Sequence, residues 1–334
     1  MKFVYKTKEV IPLIEVKNLV KKYGNHVAVN NLSFNIEKGK IYGFLGPNGA
    51  GKSTTMNIIT GYLAATDGQV IINGHDIFEE PEEAKKCIGY LPEIPPLYLD
   101  MTPREYLEFA ADLKKIPRSE RPKMFEDVAK MTGIVDVYDR LIRNLSKGYK
   151  QRVGLAQAIL GYPEIIILDE PTVGLDPKQI IEIRDVIKKL GQKHTVILST
   201  HIMQEVSAVC DEVLIIAHGQ LVAQDTTSNL GQHVTGSNNV DITVKAPDYR
   251  VKAILSKMNE VKKFEIHSST EIECVDVTVS TDMSVDIREN LFYTFAASKC
   301  PIIKMADSNM SLEDVFIKVT EGRQTDKRQT DKKK

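Results

Sequence analysis

Residues 46–53, GPNGAGKS, have the composition and spacing of a loop that holds phosphate groups. Its glycines let backbone N–H groups close around phosphate oxygens, and Lys52 adds a positive charge while Ser53 offers a hydroxyl to Mg²⁺. An ordinary Gly-rich turn with a surface lysine is the alternative, but an apolar strand pattern precedes the loop and a helical pattern follows it. The sequence therefore predicts a nucleotide-binding loop formed by Gly46, Pro47, Asn48, Gly49, Ala50, Gly51, Lys52, Ser53 and Thr54.

Two acidic residues follow a short apolar run later in the chain. The run IIIL at residues 165–168 is the length of a buried strand, and it ends at Asp169 and Glu170. An apolar strand that ends in two acids is more often an ordinary solvated strand end. In an open α/β sheet, however, ligands bind at the carboxyl ends of strands. Together with the phosphate loop, the pair predicts a hydrolytic site in which Asp169 holds Mg²⁺ and Glu170 polarises the attacking water.

The segment LSKGYKQ at residues 145–151 reads as the beginning of a helix. Ser146 suits the N-cap, Gly148 leaves the backbone bare, and Val153 and Ala156 follow at helical spacing. The segment carries no nucleophile, acid–base pair or metal ligand of its own. Any chemistry at this helix N-terminus must therefore come from the group that the helix faces.

Four motifs, GPNGAGKST, LSKGYKQ, IIILDEPTVGLDP and LSTHIM, stand in one order along the chain. In order and approximate spacing they resemble the Walker A, signature, Walker B with D-loop, and switch-histidine motifs of ABC ATPases. The resemblance implies that two cassettes meet head to tail around ATP and that Ser146, Lys147 and Gly148 of one cassette face the γ-phosphate held by the other. It also implies that Asp176 couples the two sites and that His201 is catalytic through a contact with the γ-phosphate.

Four positions are interpreted in more detail through the same resemblance. Tyr23 in KKYGN is expected to stack on adenine, with a buried core tyrosine as the alternative. A lone histidine is more often structural, and the position of His201 after the acidic strand favours the switch role instead. The sequence departs from the family pattern at Glu93, where glutamine is usual, and at Lys147 in the signature. Glu93 is expected to approach Mg²⁺ and its water, and Lys147 to add positive charge near the phosphate.

The hydrophobic patterns predict the elements that position these residues. Short strands are expected between residues 13 and 45, and strands alternate with helices from 53 to about 220. Thr102 with Pro103 and Glu105 predicts a helix that begins with a capping box. These patterns predict an α/β fold, and the resemblance to ABC ATPases implies a P-loop NTPase of the ABC cassette type over residues 1–230. It is expected to have a parallel sheet core, an N-terminal antiparallel β subdomain, and a helical subdomain at about 94–160.

A second domain is predicted after a polar linker, GQHVTGSNN, at residues 231–239. The segments from VDITVKA to PIIKMA follow the order βαββαβ, which is the ferredoxin-like order, and the second helix of this order is expected from residue 284 to 298. A last helix is expected near SLEDVFIKVT. Residues 231–322 are thus predicted to form an accessory α+β domain, and the polar repeat at 323–334 a disordered tail.

Composition narrows the classes of partner. The 334 residues carry a net charge of −1, so no global field attracts nucleic acid, and no nucleic-acid partner is expected. The four cysteines are scattered, as reduced thiols are in a reducing compartment. The N-terminus lacks the apolar region of a signal peptide, and no apolar run approaches the roughly 18 residues of a membrane span. A cytoplasmic chain that meets the membrane through another subunit is therefore expected.

The predicted function is an ATP-binding and ATP-hydrolysing subunit that uses Mg²⁺, dimerises with itself or with a second cassette, and drives a separate membrane permease at the inner face of the membrane. The chain also resembles the ATPase subunits of ABC-2-type exporters, including the gliding-motility-associated group. This resemblance rests on the segments LYLDMTPREYLEF and SLEDVFIKV and on the departures at Glu93 and Lys147. Export is accordingly expected, with the Pro-rich loop after Glu93 contacting the permease.

Two other functions are alternatives to transport. A soluble ABC ATPase acting on ribosomes or nucleic acid typically has two cassettes in one chain or a long coiled coil, whereas this chain has one cassette and no sustained heptads. A P-loop kinase or GTPase would leave the signature segment unexplained, and the sequence has no guanine-reading N-K-x-D segment. Both alternatives are therefore disfavoured.

Overall fold

A computed structural model describes residues 12–227, 229, 238–282, 285–307 and 316. The chain divides into two compact units, residues 1–227 and 228–334. The predicted last helix near residues 311–320, apart from Phe316, and the predicted tail at 323–334 lie outside the described residues.

The first unit contains ten strands and seven α-helices among its described residues, with two short 3₁₀ turns at Val135–Val137 and Ile142–Asn144. In chain order they are β1 (Ile14–Tyr23), β2 (His26–Ile36), β3 (Ile41–Leu45), α1 (Lys52–Ile59), β4 (Asp67–Ile72), β5 (His75–Asp76), α2 (Pro81–Lys86), β6 (Ile88–Leu91), α3 (Pro103–Leu113), α4 (Arg121–Thr132), α5 (Lys147–Ile159), β7 (Ile165–Asp169), α6 (Pro177–Gly191), β8 (Thr195–Thr200), α7 (Met203–Val209), β9 (Glu212–Ala217) and β10 (Gln220–Thr226).

An antiparallel sheet occupies the N-terminal part of this unit, with strand order β2-β1-β4-β5. Its apolar side chains join those of the central sheet in one buried cluster, in which the rings of Phe34 and Phe44 lie 5.6 Å apart. The prediction of short strands before the phosphate loop is confirmed.

A six-stranded sheet with order β10-β9-β3-β8-β7-β6 forms the centre of the unit. Its strands are parallel except for β10, which pairs antiparallel with β9 at the edge. The predicted parallel core is therefore confirmed. Because β3, β6, β7 and β8 are parallel, the segments that follow their carboxyl ends emerge at one edge of the sheet, and these segments carry the predicted phosphate loop, Glu93, the acidic pair and His201.

Three helices, α3 to α5, form the helical part of the unit. Helix α3 begins with the predicted capping box: the Thr102 hydroxyl accepts from the Glu105 N–H, and the Glu105 carboxylate accepts from the Thr102 N–H. Just after the end of α3, the Lys114 ammonium donates to the carbonyls of Gln157 and Leu160 at distances of 3.1 and 2.7 Å. Lys114 thus holds carbonyls that the end of α5 leaves without intrahelical partners.

The second unit contains four strands and two helices among its described residues: β11 (Asn238–Val244), α8 (Asp248–Leu255), β12 (Lys263–Ser268), β13 (Val275–Thr281), α9 (Arg288–Ala297) and β14 (Ile302–Asp307). The sheet is antiparallel with order β12-β13-β11-β14, which confirms the ferredoxin-like arrangement. Its core joins apolar side chains of the sheet, such as Val240 and Val279, to Leu291 and Phe295 of α9.

Two predicted boundaries in this unit were wrong. The polar linker was predicted to run to Asn239, but Asn238 and Asn239 pair with Thr281 and Ser280 of β13 and so belong to β11. The remaining linker residues, 231–237, lie outside the described part of the chain. The helix expected from residue 284 begins at Arg288, next to the Asp286 carboxylate that accepts from its N–H.

No helix in the described part of the chain has both the length and the apolar character needed to cross a bilayer.

Candidate functional site

The phosphate loop joins the end of β3 to the beginning of α1. Gly49 and Gly51 have φ angles of 79° and 102°, which residues with a side chain rarely adopt. A Cβ atom at Gly46 would lie 2.5 Å from the carbonyl oxygen of Ile216, and one at Gly51 would lie 2.6 Å from that of Ala28. The glycines are thus required by the backbone conformation of the loop and by the close approach of neighbouring strands.

Lys52 is the first residue of α1, and its side chain is 6% exposed. Its ammonium donates to the carbonyl oxygens of Gly46 at 2.7 Å and Pro47 at 3.3 Å, and it lies 3.8 Å from Oε1 of Glu170. Burial lowers the pKa of Lys52, while the charges of Glu170 and Asp169 act in the opposite direction. The loop therefore holds a buried cation beside the acidic end of β7.

The end of β7 places two carboxylates in different surroundings. Asp169 is 3% exposed, and its Oδ1 atom has no hydrogen-bond partner among the described residues. The neighbouring Glu170 has a φ angle of 47°, and its N–H donates to the carbonyl of Ser199 at 2.8 Å. Nδ1 of His201, just after β8, lies 2.9 Å and 3.0 Å from the two carboxylate oxygens of Glu170. Glu170 and His201 thus form one hydrogen-bonded pair.

A cleft of about 470 Å³ brings most of the predicted nucleotide-site residues together. Its lining residues include Tyr23, Asn48, Gly49, Gly51, Lys52, Ser53, Thr54, Glu93, Glu170 and His201. Gly46, Pro47 and Ala50 belong to the same loop but do not line this cleft. Tyr23 is 48% exposed, and the Lys21 ammonium lies 5.2 Å from its ring centroid. The alternative of a buried core tyrosine is therefore wrong, and stacking on adenine stays a prediction.

The three residues predicted to bind the metal line a neighbouring depression. Ser53, Glu93 and Asp169 supply one hydroxyl and two carboxylates there, a donor set that suits Mg²⁺. No group of three or more Asp, Glu, His or Cys side chains in the described chain could hold a metal alone. The partnerless Oδ1 of Asp169 fits a cation whose remaining ligands come from phosphate and water.

The signature segment lies at the beginning of α5. The Ser146 hydroxyl accepts from the N–H of Tyr149 at 3.4 Å, so Ser146 is the N-cap, as predicted. Ser146 and Lys147 are exposed, and neither they nor Gly148 line the cleft. Gly148 is buried, and a Cβ there would lie 2.6 Å from the Gln179 side chain on α6. Gly148 therefore has a packing role, and the predicted contact of this segment with a partner's phosphate stays a prediction.

Asp176 also has a local role at a helix end. Its carboxylate accepts from the N–H of Gln179 at 2.9 Å and forms the N-cap of α6, with Pro177 at the first helical position. The predicted coupling of two sites by Asp176 is untested by this contact.

Sequence reasoning missed two groups of residues near the site. The hydroxyl of Tyr149 donates to Asp136 at 2.5 Å, and this hydrogen bond raises the pKa of Tyr149. Arg152, one turn further along α5, pairs with Glu182 of α6. The second group is a buried carboxylate, Glu205, close to the Glu170 and His201 pair. In the sequence, the first group could have been recognised from the tyrosine inside the signature motif, and Glu205 from its place as an acid on the helix after His201.

Comparisons with known proteins agree with this arrangement. A family model described as ABC transporter matches residues 29–173. The chain is similar to the bacitracin transport ATP-binding protein BcrA of Bacillus licheniformis, with 32% identity over 313 residues that cover 93% of this chain and 98% of the relative. It is also similar to the linearmycin resistance ATP-binding protein LnrL of Bacillus subtilis (strain 168), with 29% identity over 92% of this chain and 98% of the relative.

Solved structures give a similar result. An ATP-binding subunit of an ABC transporter matches with a TM-score of 0.62 and 30% identity, covering 67% of this chain and 93% of that chain. The dimeric structure of MJ0796, a bacterial ABC transporter cassette, matches with a TM-score of 0.58 and 28% identity, covering 64% of this chain and 98% of that chain. The sequence relatives thus extend over nearly the whole chain, and the solved structures over about two thirds of it.

Proposed function

Because the chain belongs to the family of ABC transporter ATP-binding proteins and is an ATP-hydrolysing subunit, we propose that it works as one half of a head-to-tail dimer on a separate membrane permease. One observation carries the dimer proposal. The cleft gathers the phosphate loop, Glu170 and His201, whereas the exposed beginning of α5 at Ser146 and Lys147 lies outside its lining. A helix N-terminus of this kind binds anions, and a partner cassette would bring one to it.

The residues of the cleft support a division of roles in hydrolysis. Lys52 and the loop amides hold the β- and γ-phosphates, and Tyr23 stacks on adenine. Glu170 accepts a proton from the attacking water, and His201 fixes the Glu170 carboxylate while its other ring nitrogen is left to face the γ-phosphate. Ser53, Glu93 and Asp169 would hold Mg²⁺, which neutralises charge on the phosphates when it is bound.

The loop after β6 is proposed as the contact with the permease. Its apolar side chains face solvent, with Ile94 81% and Tyr98 53% exposed, although side chains of this type usually avoid water. The loop begins next to Glu93, so a contact there would lie beside the nucleotide cleft. We place the subunit at the inner face of the membrane, attached through the permease.

The names of two relatives support export as the direction. One relative is a bacitracin transport protein and the other a linearmycin resistance protein. A transporter gives resistance to a toxic compound by moving that compound out of the cell. We therefore propose that this chain drives export, and the cargo depends on the permease.

The head-to-tail dimer is tested by mixing two inactive variants in a Glu170→Gln background that slows hydrolysis. Lys52→Ala damages the phosphate loop, and Ser146→Asp places a carboxylate at the helix end while keeping an N-cap residue. In the mixed dimer, the intact loop of the Ser146→Asp chain meets the intact signature of the Lys52→Ala chain. We expect Mg-ATP to produce dimers in the mixture and not in either variant alone, measured by sizing chromatography.

Ser146→Asn is the matched control, because asparagine also caps a helix but carries no charge. In the same Glu170→Gln background it should dimerise with Mg-ATP without a partner variant. If labelled subunits exchange and the mixture still shows no ATP-dependent association beyond that of each variant, the head-to-tail proposal is wrong. Recovery of a multi-span membrane protein with the chain from solubilised membranes tests the permease part separately.

A further inference from the structure

Glu205, on α7, is a buried acid that the division of roles above does not use. It is 1% exposed, and each of its carboxylate oxygens accepts a hydrogen bond from a hydroxyl. Oε1 accepts from Thr172, and Oε2 accepts from Thr200 at 3.0 Å. Within the described chain, hydroxyls rather than a cation satisfy this carboxylate, and such an arrangement depends on both hydrogen bonds because an unsatisfied buried charge is costly.

The two threonines belong to the segments that carry the reacting side chains. Thr172 follows Glu170 by two residues, and Thr200 directly precedes His201. Both threonines are buried, Thr172 in the turn that follows β7 and Thr200 as the last residue of the neighbouring strand β8. Glu205 therefore connects the backbone segment after Glu170 to the backbone segment before His201.

The hydrogen atoms allow only one arrangement around an ionised Glu205. A carboxylate accepts hydrogen bonds and donates none, so both threonine hydroxyls must donate to it. Oγ1 of Thr200 also lies 3.4 Å from Oε2 of Glu170, a longer distance than its 3.0 Å to Glu205. The single hydroxyl hydrogen of Thr200 is thus directed at Glu205, which leaves the Glu170 carboxylate beside His201 and Lys52 and free to accept a proton from water.

We propose that Glu205 is a positioning residue for ATP hydrolysis, which fixes the separation of Glu170 and His201 through Thr172 and Thr200 and directs the Thr200 hydrogen away from Glu170. The proposal rests on the roles of Glu170 and His201 given above. Displacing a reacting group by about 1 Å can cost about a hundredfold in rate, so a buried connector of this kind affects turnover without touching the nucleotide.

Steady-state hydrolysis by the full-length chain tests the proposal with Glu205→Leu, which removes both hydrogen bonds, and Glu205→Gln, which keeps the shape and reverses one of them. We expect kcat to fall about tenfold or more for Glu205→Leu and about threefold for Glu205→Gln, with KM for ATP within about twofold of its original value. Thr172→Val should slow turnover as well, and adding it to Glu205→Leu should cause little further loss, because the two act as one unit.

Gln204→Leu is the matched control, since Gln204 is an exposed neighbour on the same helix and its change should leave kcat unaltered. If Glu205→Leu does not fold, the kcat of Glu205→Gln alone tests the proposal. The proposal is overturned if the folded variants keep the original kcat, or if ATP affinity falls in step with melting temperature, as a purely structural role would require. A loss of activity in Glu170→Gln with full activity in Glu205→Leu would overturn this inference and leave the proposed function standing.

Discussion

Glu170 holds a backbone conformation that residues with a side chain rarely adopt, with φ at 47°. Such a conformation costs on the order of 1–3 kcal/mol and persists only where surrounding contacts impose it. Here the Glu170 N–H continues the pairing of β7 with β8 through the Ser199 carbonyl, and the carboxylate meets His201. The strain therefore coincides with the residue whose carboxylate orientation matters most for hydrolysis.

Replacing Glu170 by glutamine should strongly slow turnover and keep nucleotide binding. The amide has nearly the same shape but cannot accept the proton of water, while Lys52 and the loop stay intact. We expect kcat to fall by about 10² to 10⁴-fold, with ATP affinity little changed and an ATP-dependent dimer accumulating. Phosphate release and sizing chromatography measure the two effects.

Glu164→Gln is the control for this change. Glu164 is a partly exposed glutamate paired with Lys38, just before β7, and its substitution should leave turnover near the original rate. Near-normal hydrolysis by Glu170→Gln would remove Glu170 from the role of general base.

The residues of the site were predictable from sequence to different extents. Lys52, Ser53, Asp169 and Glu170 were found because each lies within a short motif whose geometry is local. The contact of Glu205 with Thr172 was not predictable, because Thr172 lies 33 residues away and meets Glu205 only when the sheet is assembled. A buried acid is recognised in a structure by its burial, which no local pattern in the sequence reports.

At the scale of elements, two helix beginnings that carry a Ser or Thr N-cap were predicted correctly. Thr102 and Ser146 cap α3 and α5 as expected, because an N-cap is a contact between residues three apart. The start of β11 at Asn238 was missed, since asparagine favours turns and only pairing with Thr281 of a distant strand makes it part of a sheet.

The capping box of α3 should make stability depend on pH in a defined direction. Hydrogen bonds from the backbone and hydroxyl of Thr102 lower the pKa of Glu105. Its stabilising effect is thus present above the ordinary glutamate pKa of about 4.3 and is lost as the pH falls below that value. We expect Glu105→Gln to melt below the original protein at pH 7 and the two melting temperatures to converge in acid, measured by circular dichroism.

Thr102→Ala removes the other half of the same box and serves as the comparison. It should lower the free energy of unfolding of the unit by about 1 kcal/mol, the typical value for a lost N-cap. This loss does not depend on the charge of Glu105. Equal melting temperatures of Glu105→Gln and the original protein at every pH would show that the carboxylate charge contributes nothing to α3.

At the scale of the whole molecule, the combination of a parallel sheet with helices was predictable from the sequence, but the order of the strands in the sheet was not. Alternating strands and helices predicted a parallel sheet, and the phosphate loop predicted which fold class that sheet belongs to. The order β10-β9-β3-β8-β7-β6 depends on which strands pack side by side, and strands far apart in sequence, such as β3 and β9, become neighbours only through the helices that cover them.

We propose that the second unit is an independent domain. Contacts divide after Thr227, and each unit has its own buried apolar cluster. A chain ending near residue 230 should therefore fold and bind ATP, as measured by its melting temperature with and without nucleotide. Aggregation of this fragment under conditions where the full chain stays in solution would contradict the proposed boundary.

The bond from Lys114 to the end of α5 has a mechanical consequence. Tyr98, in the loop after β6, packs its ring against the rings of Tyr106 and Phe109, which connects the loop to α3. Lys114 then joins the end of α3 to the end of α5. Helix α5 has 13 residues and is about 20 Å long, and Ser146 is the N-cap at its other end. We therefore expect a displacement of this loop to be transmitted through α3 and Lys114 to the signature segment at Ser146.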